Sequence, residues 1–473
     1  MLFSQSQNFA EWYNELVLKA DLAEYSPVRG CMIIKPYGYA IWENIQKILD
    51  AEIKKLGVKN VYFPLFIPEN YLKKESEHIK GFSPEVAWVT YGGNKKLQER
   101  LAIRPTSETI MYSVFANWIR SYRDLPLKIN QWANIVRWEM RPRLFLRTLE
   151  FLWQEGHTAH STEKEANSMA KKVLLMYKNF IQNTLAVYVE DGIKTESEKF
   201  AGAKKTLTLE ALMKDGKALQ MGTSHNLGQN FSKAFKIKFL DRKGKQNYVW
   251  QTSWGVSTRL IGGIIMNHGD DKGLILPPKI APFQVVIVPI WKNSKEKNQV
   301  KDYIKKIEEK LKEKNVRCLS DWNKQTPGWK FNEWELKGIP LRLEIGPKEA
   351  KKRKITLVPR DILKKEEMTL KSFVDNLDKI LEDIQKRIFT ASKKFTKENT
   401  HQVETFSEFK NIISHKGGFI KTFWCGNPKC EKEIKEQTKA TIRCIPFNQD
   451  RQKGKCIKCG RKSNLKVLFA KAY

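Results

Sequence analysis

Four arginines, Arg137, Arg141, Arg143 and Arg147, crowd a short stretch that also holds Glu139 and Phe145. Like charges fixed on adjoining strands repel one another, so such a cluster calls for an anion between them. Arginine offers a planar, paired set of donors to phosphate or carboxylate, and phenylalanine offers a face on which a base can stack. A nucleotide would satisfy all of these groups, although the composition by itself also fits a structural cluster or a nucleic-acid surface. A second chemistry lies near the C-terminus. CGNPKC and CIKCG set Cys425, Cys430, Cys456 and Cys459 in two short-spaced pairs, which suit four thiolates around a tetrahedral, structural Zn2+. Cys444, in RCIPF, stands as an alternative ligand, while Cys31 and Cys318 read as buried or free.

These residues need elements to place them. LKINQWANIVRWE and RTLEFLWQEGHTAH read as strands joined by the loop MRPRLFL, which makes a hairpin. Helical apolar spacing runs from Tyr39 to Leu56 and again from about Ala166 to Leu185. IKFLDRKGKQNYVWQTS reads as a further hairpin turning near Gly244. Antiparallel strands with helices between them predict an α+β core. Beyond LPPKIAPF the order becomes β-α-β, with strands at QVVIVPI, NVRCLSDW, IPLRLEIG and KITLVPR. A closing helix there carries Phe373, Leu377, Ile380, Leu381, Ile384 and Ile388. The expected units are therefore 1–282, an α/β unit at 283–387, and a small cysteine-bearing unit at 388–473.

The bulk properties agree with a globular protein of two or three domains: 473 residues, 41% hydrophobic, with fourteen tryptophans. Lysine and arginine number 85 against 52 acidic residues, a net charge of +33 that favours polyanionic partners. A lysine-rich composition of the source organism would produce the same excess. Seven cysteines, an odd number, fit a disulfide framework poorly. The N-terminus does not read as a secretory signal, and the apolar run near QVVIVPIW is too short to cross a bilayer, so a soluble, cytoplasmic protein with no membrane partner is expected.

VRWE followed by FLRTLEFLWQEGHTAH resembles motif 2 of the class II aminoacyl-tRNA synthetases, most closely the prolyl-tRNA synthetases. GFSPEVAWVT, LAIRPTSETIMY, GTSHNLGQNFSKAF and WQTSWGVSTRLIG resemble further blocks of that family in the same order. Pro64 resembles the motif 1 proline and Arg259 the motif 3 arginine. The resemblance implies a class II catalytic core built on an antiparallel sheet, an anticodon-binding domain and a C-terminal zinc-binding domain of the archaeal and eukaryotic type. It implies L-proline, ATP with Mg2+ and tRNA(Pro) as partners, and a homodimer. Catalytic roles fall to Arg137 and Arg259. ATP would be held by Arg137, Glu139, Phe145, Gln220, Thr223, Ser257 and Arg259. Proline would be held by Phe82, Thr106, Glu108, Arg137, Trp153, Glu155, His157, His225 and Ser253. Glu335, Arg342 and Lys364 would read the anticodon, with a plain ion pair between Glu335 and Arg342 as the structural alternative.

Two residues depart from the family's motif 2: Leu144 stands where a proline is common and Leu149 where an arginine is common, which predicts a more mobile loop. The family's terminal tyrosine is matched by Tyr473, but the preceding AKA differs from the commoner ending. The expected proline pocket discriminates weakly against small apolar competitors, so misactivation of alanine or cysteine is expected; between His157 and Gly222 only a helix and short strands fit, so an inserted editing domain is not. A threonine or serine synthetase and a non-catalytic tRNA-binding relative compete with this reading. Retention of Arg137, Glu139 and Arg259 weighs against the second, and the lack of a catalytic zinc ligand set in the pocket segments weighs against a threonyl site.

Overall fold

The N-terminal helices form where the sequence supplies both a cap and an apolar stripe. In the computed structural model, which describes residues 2–78, 85–139, 141–449 and 452–473, α1 spans Phe9–Lys19 and begins where the Asn8 side chain accepts from the Glu11 N–H at 3.1 Å. Helix α2 spans Pro36–Lys55 and buries Ile41, Trp42, Ile45, Leu49 and Ile53. Its start lies ahead of the expected Tyr39, because a proline at the first helical position loses no intrahelical bond.

The elements that go on to position the site are β1 (Lys59–Asn60), α3 (Glu108–Trp118), β2 (Leu127–Val136) and β3 (Glu150–His160). Strands β2 and β3 pair antiparallel from Leu127↔Ala159 to Val136↔Glu150, which is the expected hairpin. Helix α4 (Glu163–Asn183) opens on a reciprocal cap between Thr162 and Glu165. Then follow β4 (Glu190–Ile193), β5 (Lys205–Leu212), β6 (Ala218–Gly228), β7 (Trp250–Ser257) and α5 (Arg259–His268). The hairpin expected through Ser253 is divided. Only Lys238–Leu240 and Gln246–Tyr248 pair across Gly244, whereas β7 pairs with β6 and β3. A strand claimed on both edges by a central sheet has no free edge left for its sequence neighbour.

The α/β unit contains β8 (Val285–Pro289), α6 (Ser294–Glu313), β9 (Cys318–Ser320), α7 (Pro327–Leu336), β10 (Leu341–Ile345), β11 (Lys354–Pro359), β12 (Glu366–Thr369) and α8 (Leu370–Glu398). Its sheet order is β9-β8-β10-β11-β12, with the first three strands parallel. Helix α8 runs well past Ile388, because Ser392 and Thr396 extend its buried line and the Ser392 hydroxyl accepts from the Tyr188 N–H at 2.9 Å. The expected boundary between 387 and 388 thus falls inside one helix.

The elements beyond α8 include β13 (Thr400–Gln402), β14 (Phe419–Phe423), α9 (Pro428–Thr438), β15 (Thr441–Pro446) and β16 (Lys466–Ala470). They are continuous with the first unit. Strand β15 pairs with β4 through Ile445↔Ile193 and Pro446↔Gly192, giving an eleven-stranded sheet in the order β13-β14-β16-β15-β4-β5-β6-β7-β3-β2-β1. The seam needs a glycine, since a Cβ on Gly192 would lie 2.3 Å from the Ile445 carbonyl oxygen. Behind it, Glu210 is fully buried and receives Lys194 Nζ at 2.7 Å and Arg443 Nη2 at 2.9 Å. Cys444 packs here, buried beside Leu212, Phe419 and Leu468. Among the described residues no helix is long and apolar enough to cross a membrane.

Removing one member of a buried ion cluster strands the others without a counter-charge. Glu210→Ala is therefore expected to lower the unfolding free energy by about 3–5 kcal/mol, read as a shifted urea transition by circular dichroism. An unshifted transition would show that the seam does not depend on this cluster.

Candidate active site and metal centre

Strand register brings most of the expected substrate residues to one face of the sheet. His157 on β3 opposes Ser253 on β7, which opposes His225 on β6. In the next row Glu155 opposes Gly255, which opposes Thr223, and in the next Trp153 opposes Ser257. Alternation along each strand turns these side chains the same way. Gly255 leaves the middle of that face open, and above it lies a cavity of about 280 Å³ lined also by Thr106, Glu108, Arg137, Gln220 and Arg259.

The inner half of the cavity is acidic, and its polar lining groups are buried. Glu155 accepts from Ser107 Oγ at 2.5 Å and Gln131 Nε2 at 3.0 Å, and its other oxygen lies 3.0 Å from His157 Nε2. The far nitrogen of His157 meets the Tyr112 hydroxyl at 2.9 Å. Burial alone would hold this imidazole neutral, but the hydrogen bond to Glu155 and the charges of Glu155 and Glu108 outweigh it and raise the pKa above the ordinary histidine value. Glu108, in the first turn of α3, accepts from the Thr106 hydroxyl. Opposite, burial and the nearby charge of His157 push His225 down to about 3, so it is neutral, with Nδ1 2.9 Å from Thr206 Oγ1. Trp153 Nε1 and Ser253 Oγ are buried without a partner among the described residues, two polar atoms left for a ligand to satisfy.

The outer half is cationic. Arg137, Glu139, Phe145, Arg147, Ser257 and Arg259 line a joined cavity of about 190 Å³. Arg137 Nε donates to the Pro105 carbonyl at 3.0 Å, and its guanidinium lies 5.5 Å from the Trp153 ring and 5.6 Å from that of Phe151. Glu139 accepts from the Arg141 N–H at 2.9 Å and sits 3.6 Å from Arg147 Nε. Burial, then the charges of Arg137 and Arg147, push Arg259 down to about 10, still protonated at neutral pH. The loop is anchored where mobility was expected. Leu144, Phe145 and Leu146 plug into the core, and the Tyr13 hydroxyl donates to the Leu144 carbonyl at 2.7 Å. Phe145 reaches this position with φ near 62°. Tyr473 closes the same region, its hydroxyl 2.6 Å from Asp215 and its ring 5.6 Å from Arg143.

Some residues escaped the sequence reading. Glu198, Lys199 and Phe200 wall the inner cavity, and the Phe200 ring lies 4.8 Å from that of His225. Their segment, KTESEKF, carries the charge of an ordinary surface loop and no motif that would single it out. Phe82 lies outside the described residues. In the α/β unit Arg342 is held by Glu335 at 2.8 Å and Glu344 at 3.1 Å, with the Phe331 ring 4.3 Å beneath. Lys364 is exposed and takes no part in this cluster, whereas Lys365 reaches Glu344 at 2.6 Å.

The thiols of Cys425, Cys430, Cys456 and Cys459 converge with all sulfur atoms within 4.8 Å, and Cys425 lies 3.7 Å from both Cys430 and Cys459. Tetrahedral zinc with bonds of about 2.3 Å sets sulfur–sulfur edges of about 3.8 Å, so the set fits that ion. Cys444 is absent from the cluster.

The buried histidines set a pH response. His160 and His268 are pushed down to about 4 by burial, and His225 to about 3. A depressed histidine contributes stability that is fully present above its unfolded pKa, about 6.5, and is lost as pH falls towards its folded value. His157, raised, works in the opposite direction and only above that unfolded value. The urea midpoint is therefore expected to fall as pH drops from 6.5 to 4.5, and a midpoint that rose across this window would contradict the burial of neutral imidazoles.

Comparisons with known proteins agree with this geometry. Residues 88–268 match the tRNA synthetase class II core domain (G, H, P, S and T), residues 284–380 the anticodon binding domain, and residues 406–473 the C-terminal domain of prolyl-tRNA synthetase. The chain is 52% identical over 471 residues to the proline–tRNA ligase of Natranaerobius thermophilus, covering 99% of this chain and 97% of that protein. It is 51% identical over 467 residues to proline–tRNA ligase 2 of Clostridioides difficile, covering 98% and 96%. Prolyl-tRNA synthetase of Cryptosporidium parvum, solved with halofuginone and AMPPNP, superposes with a TM-score of 0.95 at 44% identity, covering 99% of both chains. The same enzyme with L-proline and AMP gives 0.94 at 44% identity, covering 99% of this chain and 96% of that one. Built on this core, with these three matched regions in order and this identity along almost its whole length, the chain belongs to the prolyl-tRNA synthetase family of proline–tRNA ligases.

Proposed function

We propose that the chain activates L-proline with ATP and transfers the prolyl group to tRNA(Pro). The observation that carries this reading is the junction in one cleft of a cationic half, where three arginines face one carboxylate, and an acidic half lined by buried groups. Proline's carboxylate is already ionised at neutral pH, so the first step needs positioning and charge stabilisation rather than a base. A carboxylate oxygen attacks the α-phosphorus, the bond to pyrophosphate breaks, and Arg137 and Arg259 stabilise the charge that builds on the phosphate. Glu139 accepts from the adenine amino group, while Phe145 and Arg259 flank the ring. Gln220, Thr223 and Ser257 contact the nucleotide from the strand face. Mg2+ accompanying ATP supplies further charge neutralisation on the phosphates.

Trp153 and His225 enclose the pyrrolidine, with Thr106, Glu108, Glu155, His157 and Ser253 around its ammonium and the entrance; Phe82 is assigned to proline by family resemblance alone. A terminal ribose hydroxyl of tRNA then attacks the prolyl carbonyl carbon, and AMP leaves. Glu335, Arg342 and Lys364 read the anticodon, Arg342 being pre-oriented between two carboxylates. The cysteine cluster holds a structural zinc, the active form is a homodimer, and the protein works in the cytoplasm. The described residues between β3 and β6 form α4, β4, β5 and their connections, and in this reading they carry no editing activity.

Proline-dependent exchange of pyrophosphate into ATP tests the reading directly; no exchange with proline, or faster exchange with another amino acid, would overturn it. Arg259→Ala is expected to lower kcat by about 10²- to 10³-fold. Alanine, which lacks two ring methylenes each worth about 10- to 200-fold, is expected to be activated with kcat/KM lower by about 10²- to 10⁴-fold, and its tRNA ester should persist in the presence of the enzyme. Cys456→Ser should release zinc to a chromogenic chelator and lower thermal stability. Loss of exchange with stability unchanged would contradict a structural metal.

A further inference from the structure

The C-terminal unit touches the cleft by a route that the proposed function does not use. Glu431 follows Cys430 on α9 and is 4% exposed. Its carboxylate accepts from Thr195 Oγ1 at 2.7 Å and Ser197 Oγ at 3.0 Å, across more than two hundred residues of sequence. Lys435, one turn on, lies 3.2 Å from Glu198, a partly exposed pair that adds little.

Thr195 opens the turn that walls the inner cavity. Its carbonyl accepts from the N–H groups of Glu198 and Lys199 at 3.2 and 3.0 Å. At the end of that turn the Phe200 N–H donates to Thr206 Oγ1 at 3.0 Å, the same oxygen that lies 2.9 Å from His225 Nδ1. Phe200 then stacks obliquely on His225 at 4.8 Å. A turn with several charged residues has little apolar burial to hold it, so its position depends on such tethers. The two hydroxyl bonds to the buried Glu431 carboxyl are tethers that reach it from the C-terminal unit.

We propose that Glu431 is a positioning residue for amino-acid binding. From the metal-bearing helix it holds the Thr195–Phe200 turn where Phe200 closes the chamber against His225. This inference rests on the reading of the inner cavity as the proline chamber. It also gives the C-terminal unit a part in substrate affinity as well as in stability.

The test uses the full-length protein with its zinc content measured. Steady-state pyrophosphate exchange is compared for wild type, Glu431→Ala, Glu431→Gln, a Thr195→Val/Ser197→Ala variant, and the combination of that variant with Glu431→Ala. Glu431→Ala is expected to raise the KM for proline about 5- to 30-fold, with kcat and the KM for ATP within about twofold of wild type. The variant on the far side of the contact, distant from the thiolates, should reproduce this even if Glu431→Ala loses zinc. The combination should be no worse than either alone, because both remove one contact. Glu431→Gln, which keeps an acceptor oxygen, should fall between. An unchanged KM for proline in the Thr195→Val/Ser197→Ala variant, additive effects in the combination, or an equal rise in the KM for ATP would overturn the proposal. A wild-type protein without proline-dependent exchange would instead overturn the reading of the chamber on which it rests.

Discussion

Guanidinium groups that lack enough carboxylates are the constraint around which this molecule is arranged. Arg137, Arg147 and Arg259 share one cavity wall, and burial, together with their mutual repulsion, costs Arg259 part of its proton affinity. Glu139 is the acidic residue in that lining, and it stands 3.6 Å from Arg147. Such an arrangement is unfavourable in isolation and must be held by the rest of the fold. The holding is visible. Arg137 is tied to the Pro105 carbonyl, Arg259 begins a helix packed in the core, and the loop between β2 and β3 is pinned by three apolar side chains.

The same economy governs the other half of the cleft, where carboxylates are kept apart from the arginines. Glu155 directs its acceptors to Ser107, Gln131 and His157, and its charge, with that of Glu108, acts on Arg137 through space. Strand register enforces the separation, because a slip of one residue would send Trp153, Glu155 and His157 to the opposite face of the sheet. Gly255 then provides the room that a side chain in the central row would fill.

Rigidity of that sheet comes partly from outside the catalytic segment. The strands after Glu398 extend it across the Gly192 seam, and the Lys194–Glu210–Arg443 cluster locks the junction in a low-dielectric interior. Arg360 makes a comparable link on the other side, bonding Asp270 beyond α5 and the Glu335 carbonyl. The three segments matched separately by families are therefore mechanically joined, two through charged groups that would be costly to bury alone.

The sequence by itself determined the features that are local. Apolar periodicity located α2, α4 and most of α8, the arginine-rich loop located the hairpin, and paired cysteine spacings located the four-cysteine cluster, because each is set by residues close along the chain. Motif order singled out most of the residues that line the cleft, and their convergence follows the register of β3, β7 and β6. What only the tertiary structure decided depends on partners far apart in sequence. No local pattern marks β15 as the neighbour of β4, turns the KTESEKF loop into a wall of the chamber, or selects Lys365 rather than Lys364 as the partner of Glu344. Nor does one show that Leu144 anchors its loop. These outcomes follow from which surfaces meet when the whole chain packs, and a buried charge or an unpaired strand edge is satisfied only by what it meets there.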